Sequence, residues 1–360
     1  MSETLEDLRI EQAELVLPAA PFSDTIRFFI ETLGFRLDSI MPADDPQTAR
    51  LSGHGLRLSL DAGFKGNPGV IRLLTASDRP REPMTAPNQT RIVFAPARPA
   101  LKLPELRPSV SVQLREHGDT AWKAGRAGML YRDLIPDRQG GRFIASQIRI
   151  PHGGPVSDNV HYHDIQVQLI YCYRGWVRLV YEDQGEPFVM RAGDCVLQPP
   201  HIRHRVLESS DGLEVIEIGS PAEHMTHLDH DMVLPTGRTL SERDFAGQKF
   251  VFHQADRAEW DRDDAGLDMR DLGIAAATQG LASASVVRGT SGWCGDSGCA
   301  SQGRTFAFAF VLEGKMNLRV DQQPQMMLSA GDAFVIPQGM QQQFTDCSDD
   351  WQLLQVFLPG

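Results

Sequence analysis

The sequence predicts a mainly β protein in which two similar β-rich units follow a small α+β module. Short apolar runs bounded by Gly, Pro and Asp turns recur along most of the chain, a pattern typical of antiparallel sheets. The repeat is explicit: Tyr131-Arg132-Asp133-Leu134 returns 138 residues later as Met269-Arg270-Asp271-Leu272, and Gly193-Asp194 returns as Gly331-Asp332. A repeat of this length indicates two copies of one domain in tandem.

The composition limits the class of protein and of partner. Of 360 residues, 41% are hydrophobic and 23% are charged, which suits two or three globular domains. The formal net charge of −12, with no compensating basic run, argues against nucleic acid or a membrane as partner and favours a small-molecule substrate. No signal peptide or spanning stretch is recognised, and the five cysteines lack disulfide spacing, so we expect a cytoplasmic protein.

Residues 1–75 are predicted to form the α+β module. A strand near residues 13–17, an amphipathic helix at 24–32 and three further short strands give a βαβββ order. The phrase from Phe28 to Phe35, FFIETLGF, is similar to one half of a glyoxalase/vicinal-oxygen-chelate domain. Metal sites in that family take His or Glu from two halves, whereas only Glu14 and His54 are available here. We therefore expect a module for packing or dimer contacts.

The next segment, residues 76–110, is rich in Pro and Arg and is predicted to be a surface linker. One strand-like piece, Thr90-Arg91-Ile92-Val93-Phe94, interrupts it. The first β-rich unit is then predicted at residues 111–235 and the second at 236–360.

Metal-ligating side chains concentrate in the first of these units. In an extended strand alternate side chains share a face, so His161 and His163 project their imidazoles the same way. Gln168, near the start of the next apolar strand, could return an amide oxygen, and His204 opens a later strand as a third nitrogen donor. This set suits a borderline divalent transition metal and leaves coordination positions for water or substrate.

These residues resemble the two motifs of the cupin superfamily. The first, His-x-His, four residues, Glu or Gln, six residues, Gly, is matched at His161, His163, Gln168 and Gly175. The second, Gly, five residues, Pro-x-Gly, two residues, His, is matched at Gly193, Pro199 and His204, with His201 where Gly is usual. The resemblance implies two tandem cupin barrels, each a double-stranded β-helix or jelly roll.

The second unit keeps the framework of the repeat but loses the ligands. His204 corresponds to Gln342, and the His-x-His window falls near Cys299-Ala300-Ser301-Gln302. We therefore expect no metal in this half and assign it to scaffold or dimer contacts. Cys294 and Cys299 could form a redox pair, but without Cys-x-x-Cys spacing they are expected to be free thiols.

Three further histidines, His224, His227 and His230, lie between the two units at intervals of three residues. A strand would not place them on one face, and a helix would let them drift around it. We expect a solvent-facing linker at this position.

Fold resemblance does not decide the reaction. Because Gln168 is neutral, the metal would keep its full charge, which favours an anionic substrate that chelates through oxygen. The resemblance to three-His iron sites and gentisate-type ring-cleaving enzymes implies an Fe(II) dioxygenase acting on a diol, diketone or aromatic compound. Ni, Zn, Mn and Cu are alternative metals.

Two other functions stay open at this stage. The same ligand set resembles cupins that act without redox chemistry, as an isomerase, lyase or cyclase on a sugar acid, and a third possibility is a non-catalytic binding protein. Arg149 and Glu217, on apolar strands next to the motifs, are the candidate substrate-binding residues. A homodimer is also expected.

Overall fold

The computed structural model describes residues 9–115, 122–262, 266–289, 293, 295, 306–321 and 323–358. The chain divides at Ala100 into two compact units. None of the helices found in these ranges has the length and apolar character needed to span a bilayer.

The first unit has the predicted βαβββ order. Its strands are β1 (Leu15–Pro18), β2 (Arg36–Met41), β3 (Thr48–Gly53), β4 (Leu56–Asp61), β5 (Val70–Thr75), β6 (Met84–Thr85) and β7 (Arg91–Pro96). Helix α1 (Phe22–Arg27) continues as a π-helical turn (Phe28–Thr32). The first sheet has the order β1-β4-β3-β2, with β1 parallel to β4. Its buried face packs on Phe29, because β4 points Leu58 and Leu60 to that side.

The two polar candidates of this unit have structural partners. The His54 Nε2 atom lies 2.7 Å from the Leu33 carbonyl oxygen, and Glu14 pairs with Arg50 at 3.3 Å. These contacts tie the ends of strands and the helix together. The likeness of the unit to a vicinal-oxygen-chelate half stays a prediction.

Residues 76–100 belong to the first unit, so the predicted linker is wrong over most of its length. β5, β7 and β6 form a second small sheet, with β5 parallel to β7. Ile71, Ala86 and Ile92 are buried in the same apolar cluster as Phe29. The composition misled because Pro83 and Pro87 lie on either side of the two-residue strand β6, Pro96 ends β7 and Arg91 takes an exposed strand position. All of these placements are compatible with short strands.

The second of the two compact units, which begins at Leu101, is built almost entirely from strands. They are β8 (Ser111–Gln113), β9 (Lys123–Ala124), β10 (Leu130–Asp133), β11 (Ile144–Ile150), β12 (Gly154–Pro155), β13 (His161–His163), β14 (Val167–Arg174), β15 (Trp176–Tyr181), β16 (Phe188–Arg191), β17 (Cys195–Leu197), β18 (His204–Ser209), β19 (Leu213–Ser220), β20 (Thr226–Leu228), β21 (Val251–His253), β22 (Asp261–Arg262), β23 (Leu267–Asp271), β24 (Ser283–Gly289), β25 (Phe306–Glu313), β26 (Lys315–Val320), β27 (Met326–Ser329), β28 (Ala333–Val335), β29 (Gln342–Thr345) and β30 (Gln352–Leu358). Short helical turns lie at Arg126–Gly128, Arg138–Gly141 (α2) and Ile274–Ala277 (α3).

These strands form two jelly-roll barrels, so the predicted mainly β fold is confirmed. The first barrel has sheets β21-β17-β14-β19-β11-β10-β9 and β16-β15-β18-β13-β20. The second has sheets β22-β23-β24-β30-β25-β28-β8 and β27-β26-β29.

The barrels exchange edge strands, which corrects the predicted boundaries of 111–235 and 236–360. β8 precedes the first barrel in the chain but pairs with β28 of the second. β21 follows the first barrel's other strands, beyond residue 235, and pairs with β17 of the first. Each barrel therefore contains a strand from outside its predicted range, which local sequence patterns do not reveal.

The repeated sequence motifs meet where the barrels join. Buried Arg132 donates from Nη2 to the Gly331 carbonyl oxygen at 2.5 Å. Asp332 accepts from the Arg115 amide at 2.6 Å, and its counterpart Asp194 accepts from the Ala255 amide at 2.8 Å. The repeat therefore marks residues that hold the two copies together.

Replacing Arg132 with Ala should destabilise the chain by about 1.5–3 kcal/mol, because a buried charge-assisted hydrogen bond to Gly331 is lost. Urea unfolding measures the change. Arg178→Ala is the matched control: Arg178 pairs with Glu208 at the surface, and its loss should cost less than about 0.5 kcal/mol. Equal effects of the two substitutions would contradict the role given to Arg132.

Candidate metal centre

The structure brings the three predicted histidines together on one face of the first barrel's smaller sheet. β13 pairs with β18 so that His161 lies directly opposite His204, and His163 follows two residues along. The ring centroid of His161 lies 4.2 Å from that of His204 and 5.3 Å from that of His163. One nitrogen from each ring lies within 4.8 Å of the others, a spacing that a single ion could bridge.

Hydrogen bonds fix the orientation of these rings. His161 Nδ1 lies 2.8 Å from the Asn159 carbonyl oxygen, and His204 Nδ1 lies 3.0 Å from that of Ile202. A carbonyl oxygen only accepts, so both Nδ1 atoms carry the proton and both Nε2 atoms keep a lone pair. His163 Nδ1 meets the Thr226 hydroxyl at 2.9 Å. Metal-binding histidines are oriented by partners of this kind.

The environment also keeps the imidazoles neutral. Burial is the largest cause in each case: it lowers the pKa of His163 to about 2 and that of His204 well below its usual value. Burial and the Arg126 guanidinium lower the pKa of His161. Neutral imidazole is the form that binds a metal.

A pH titration of metal-free protein checks this environment. The lowered pKa values mean that the unfolded chain takes up protons below about pH 6.5 while the folded chain does not, so stability falls as pH falls. Between pH 6.5 and 5.5 the free energy of unfolding should drop by about 1 kcal/mol for each of His163 and His204, measured by urea unfolding. A variant with Gln at positions 161, 163 and 204 should lose this dependence, and an unchanged slope would contradict the assignment.

Gln168 lies in the wall beside the histidines, and both polar atoms of its amide have protein partners. Its Oε1 accepts from Gln198 at 3.1 Å, and its Nε2 donates to the Glu217 carboxylate at 2.5 Å. Gln198 in turn accepts from the Tyr181 hydroxyl at 2.5 Å. The chain of hydrogen bonds runs in one direction and ends on Glu217. The ligand role of Gln168 stays a prediction, and the structure adds a second role, that of orienting Glu217.

A cavity of about 320 Å³ opens from this centre into the barrel. Its polar wall consists of Arg126, His161, His163, Gln168, Gln198, His204, Glu217, His224 and Thr226. The rest is aliphatic or aromatic: Met129, Tyr131, Ile148, Ile150, Ile170, Val177, Leu179, Tyr181, Met190, Val206, Leu213 and Val215. A small molecule with a polar end and an apolar body matches this division.

Of the two predicted substrate-binding residues, the structure places Glu217 in the cavity wall and Arg149 elsewhere. Ile148 and Ile150 line the cavity, so the alternation of β11 turns Arg149 to the opposite face. There its guanidinium pairs with Glu214 at 2.7 Å and lies 4.3 Å from the Trp122 ring. The prediction for Arg149 is therefore wrong.

Sequence reasoning missed two parts of the site. Arg126 belongs to neither of the two predicted metal-binding motifs, yet its Nη2 donates to His161 Nε2 at 2.9 Å. The segment around His224 was expected to be a linker, but β20 pairs with β13 and the His224 ring lies 5.3 Å from that of His163. The pairing of β20 with β13 brings His224 to the centre. Local sequence patterns do not predict this pairing, because the two strands are far apart in the chain.

The second barrel is filled where the first is open. Phe334, Phe344 and Trp351 occupy its interior, and Gln342, the counterpart of His204, is buried there. Within the described ranges, the three histidines of the first barrel form the sole group of metal-ligating His, Cys, Asp or Glu side chains. Cys294, Cys299 and the window at 299–302 lie outside those ranges.

Comparison with known proteins identifies both barrels. Residues 147–219 match a family model described as a cupin domain, and residues 287–352 match one described as an EutQ-like cupin domain. The chain carries two tandem cupin domains. A search of curated proteins gives no match.

Solved two-cupin structures share this architecture. A mutant of Bacillus subtilis oxalate decarboxylase is 12% identical with a TM-score of 0.50, covering 72% of this chain and 78% of its own. A protein described as glyoxylate-induced from Pseudomonas aeruginosa is 14% identical with a TM-score of 0.50, covering 72% of this chain and 92% of its own. At such identities the likeness shows the fold alone.

Proposed function

We propose that the first cupin barrel contains the active site of a metal-dependent enzyme, and that the enzyme acts on a small anionic substrate. The observation that carries this is the convergence of three neutral imidazoles, two of them buried and the third, of His163, partly buried, at the wall of a mostly apolar cavity. His161, His163 and His204 would hold one divalent transition metal through Nε2, with Gln168 Oε1 as a further candidate ligand. When bound, such a metal polarises an oxygen of the substrate.

Glu217 favours proton-transfer chemistry, as in an isomerase or lyase. Non-redox catalysis at a polarised oxygen needs a group that accepts and returns a proton, and a dioxygenase does not need one. Glu217 lies in the cavity wall, and the amide of Gln168 holds one of its carboxylate oxygens in place. The proposed reaction is therefore a non-redox conversion in which Glu217 moves the proton.

An Fe(II) dioxygenase is the second candidate, supported by a different observation. The three clustered histidines are kept neutral by their surroundings, and most of the cavity wall is apolar. An apolar wall excludes water from reactive intermediates. The proposed substrate in that case is a diol, diketone or aromatic compound that chelates through oxygen.

Metal analysis followed by turnover assays separates these candidates. Protein purified without added metal is analysed for its elements, then stripped and reloaded anaerobically with Fe, Mn, Ni or Zn. Each form is incubated with 2-oxo acids, 2-hydroxy acids, diketones, catechols and unsaturated sugar acids, and products are followed by NMR beside an oxygen electrode. Turnover without oxygen supports the isomerase or lyase, and oxygen consumption supports the dioxygenase. Ligand binding without turnover in every form would favour a non-catalytic binding protein.

We also propose that the chain forms a homodimer. Sedimentation of the purified chain, whose mass is 39.9 kDa, should give a particle of twice that mass. A single species at the chain mass would contradict it.

A further inference from the structure

Arg126 contacts the centre from outside the segment that matches the cupin model, residues 147–219. It lies in the short turn Arg126–Gly128, ahead of β10. One end of its guanidinium forms an ion pair with Asp158, and Nη2 donates to His161 Nε2 at 2.9 Å. The side chain therefore bridges a carboxylate and one of the three imidazoles.

Asp158 is a fixed anchor for this arginine. Its side chain is fully buried, and its two oxygens accept from the backbone amides of Val206 and Asn159, each at 3.0 Å. Val206 belongs to β18, the strand that also carries His204. The position of the guanidinium is therefore set by the sheet that holds the histidines.

The hydrogen bond to His161 and a bond from His161 to a metal exclude each other. His161 donates through Nδ1 to Asn159, so Nε2 has one lone pair, and Arg126 already uses it. A metal held by the three histidines would need the same lone pair, so Nη2 would lose its acceptor. The pairing with Asp158 would still keep the guanidinium at the cavity wall.

A freed guanidinium donor at this wall needs a new acceptor, and the one carboxylate among the lining residues, Glu217, already accepts from Gln168. Arg126 is the one Lys or Arg side chain among the described residues that line the cavity, and most of the other lining residues are apolar. Guanidinium groups bind carboxylates through paired, charge-assisted hydrogen bonds. A carboxylate of the substrate would therefore supply the missing acceptor.

We infer that Arg126 docks the carboxylate of a 2-oxo or 2-hydroxy acid, and that it does so only after metal has displaced it from His161. This inference rests on the proposed function and names the substrate class. An acid of this type carries an oxygen on the carbon next to its carboxylate. It can present that oxygen to the metal while the carboxylate meets Arg126. Anion binding is therefore ordered, with metal first.

The test measures two affinities. Co²⁺ is titrated into metal-free protein by calorimetry, and pyruvate and benzoylformate are then titrated into metal-free and Co²⁺-loaded protein, with their methyl esters as neutral controls. Wild type should bind the acids only when loaded. Arg126→Met should bind Co²⁺ at least about fivefold more tightly, because the competitor for Nε2 is gone, and bind the acids about 10–100-fold more weakly.

Two further variants keep the test decisive. Arg126→Lys retains the ion pair with Asp158 and should fold normally, yet it should change both affinities in the same directions. Arg178→Met, a surface arginine paired with Glu208, should change neither. Acid affinity unchanged in both Arg126 variants, Co²⁺ affinity that does not tighten, or no acid binding by loaded wild type would overturn the inference. Absence of Co²⁺ binding by wild type would instead overturn the proposed function.

Discussion

Replacing Glu217 with Gln should lower kcat by about 100–10,000-fold on any compound that the protein converts without oxygen, because a carboxamide cannot accept the proton. Gln is nearly isosteric, and its Oε1 can still accept from Gln168, so the hydrogen-bond chain and the metal content should be unchanged. Steady-state kinetics of metal-loaded protein, with bound metal counted in the same samples, measure the effect.

The control for Glu217→Gln is Glu208→Gln at the surface, which should leave the rate unchanged. Two results would decide against proton transfer by Glu217. One is full activity of Glu217→Gln, and the other is a rate that disappears when oxygen is removed from wild-type assays. The second result would transfer the proposal to the dioxygenase.

Replacing His204 with Ala should lower bound metal from about one equivalent per chain to less than about one tenth, because only two imidazoles remain at the centre. The fold should persist, since the apolar core of the barrel does not depend on this ring. Elemental analysis after gel filtration measures the metal, and circular dichroism checks the fold.

His230→Ala is the matched control for His204→Ala. His230 lies in the neighbouring histidine-containing stretch, residues 224–230, but is not one of the three clustered histidines. It should retain a full equivalent of metal. If His204→Ala also retains it, the ion is held elsewhere and the centre described above is wrong.

Local sequence spacing predicted the histidine cluster but not its surroundings. Residues two positions apart on a strand face the same way, so the grouping of His161 with His163 needed no tertiary information. His204 entered through a motif whose Gly and Pro residues fix a turn. Arg126, in contrast, reaches the centre through its ion pair with Asp158, and His224 through the pairing of β20 with β13. Both contacts join residues far apart in the chain.

The failure at Arg149 has a similar origin. β11 is buried on both faces, so alternation alone does not say which face meets the cavity. The isoleucines on either side of Arg149 took the cavity face, and Glu214 on the neighbouring strand paired with the arginine. Glu217 lies on that same neighbouring strand, three positions away, and therefore has the opposite orientation.

The tandem repeat was visible in the sequence, but its physical meaning was not. Arg132 and Asp332 recur because each copy contributes the same groups to the junction between barrels. The exchange of β8 and β21 strengthens that junction, and it places the domain boundaries where no change in composition occurs. The second cupin barrel shares one buried apolar cluster with the first.

X-ray absorption spectroscopy of metal-loaded wild-type protein tests the three-histidine centre, because it counts the imidazole ligands on the bound ion. We expect one ion per chain with three imidazole nitrogens in its coordination shell, at the distance usual for histidine ligands, about 2.0–2.1 Å for zinc. A shell with no imidazole or a single one would contradict it.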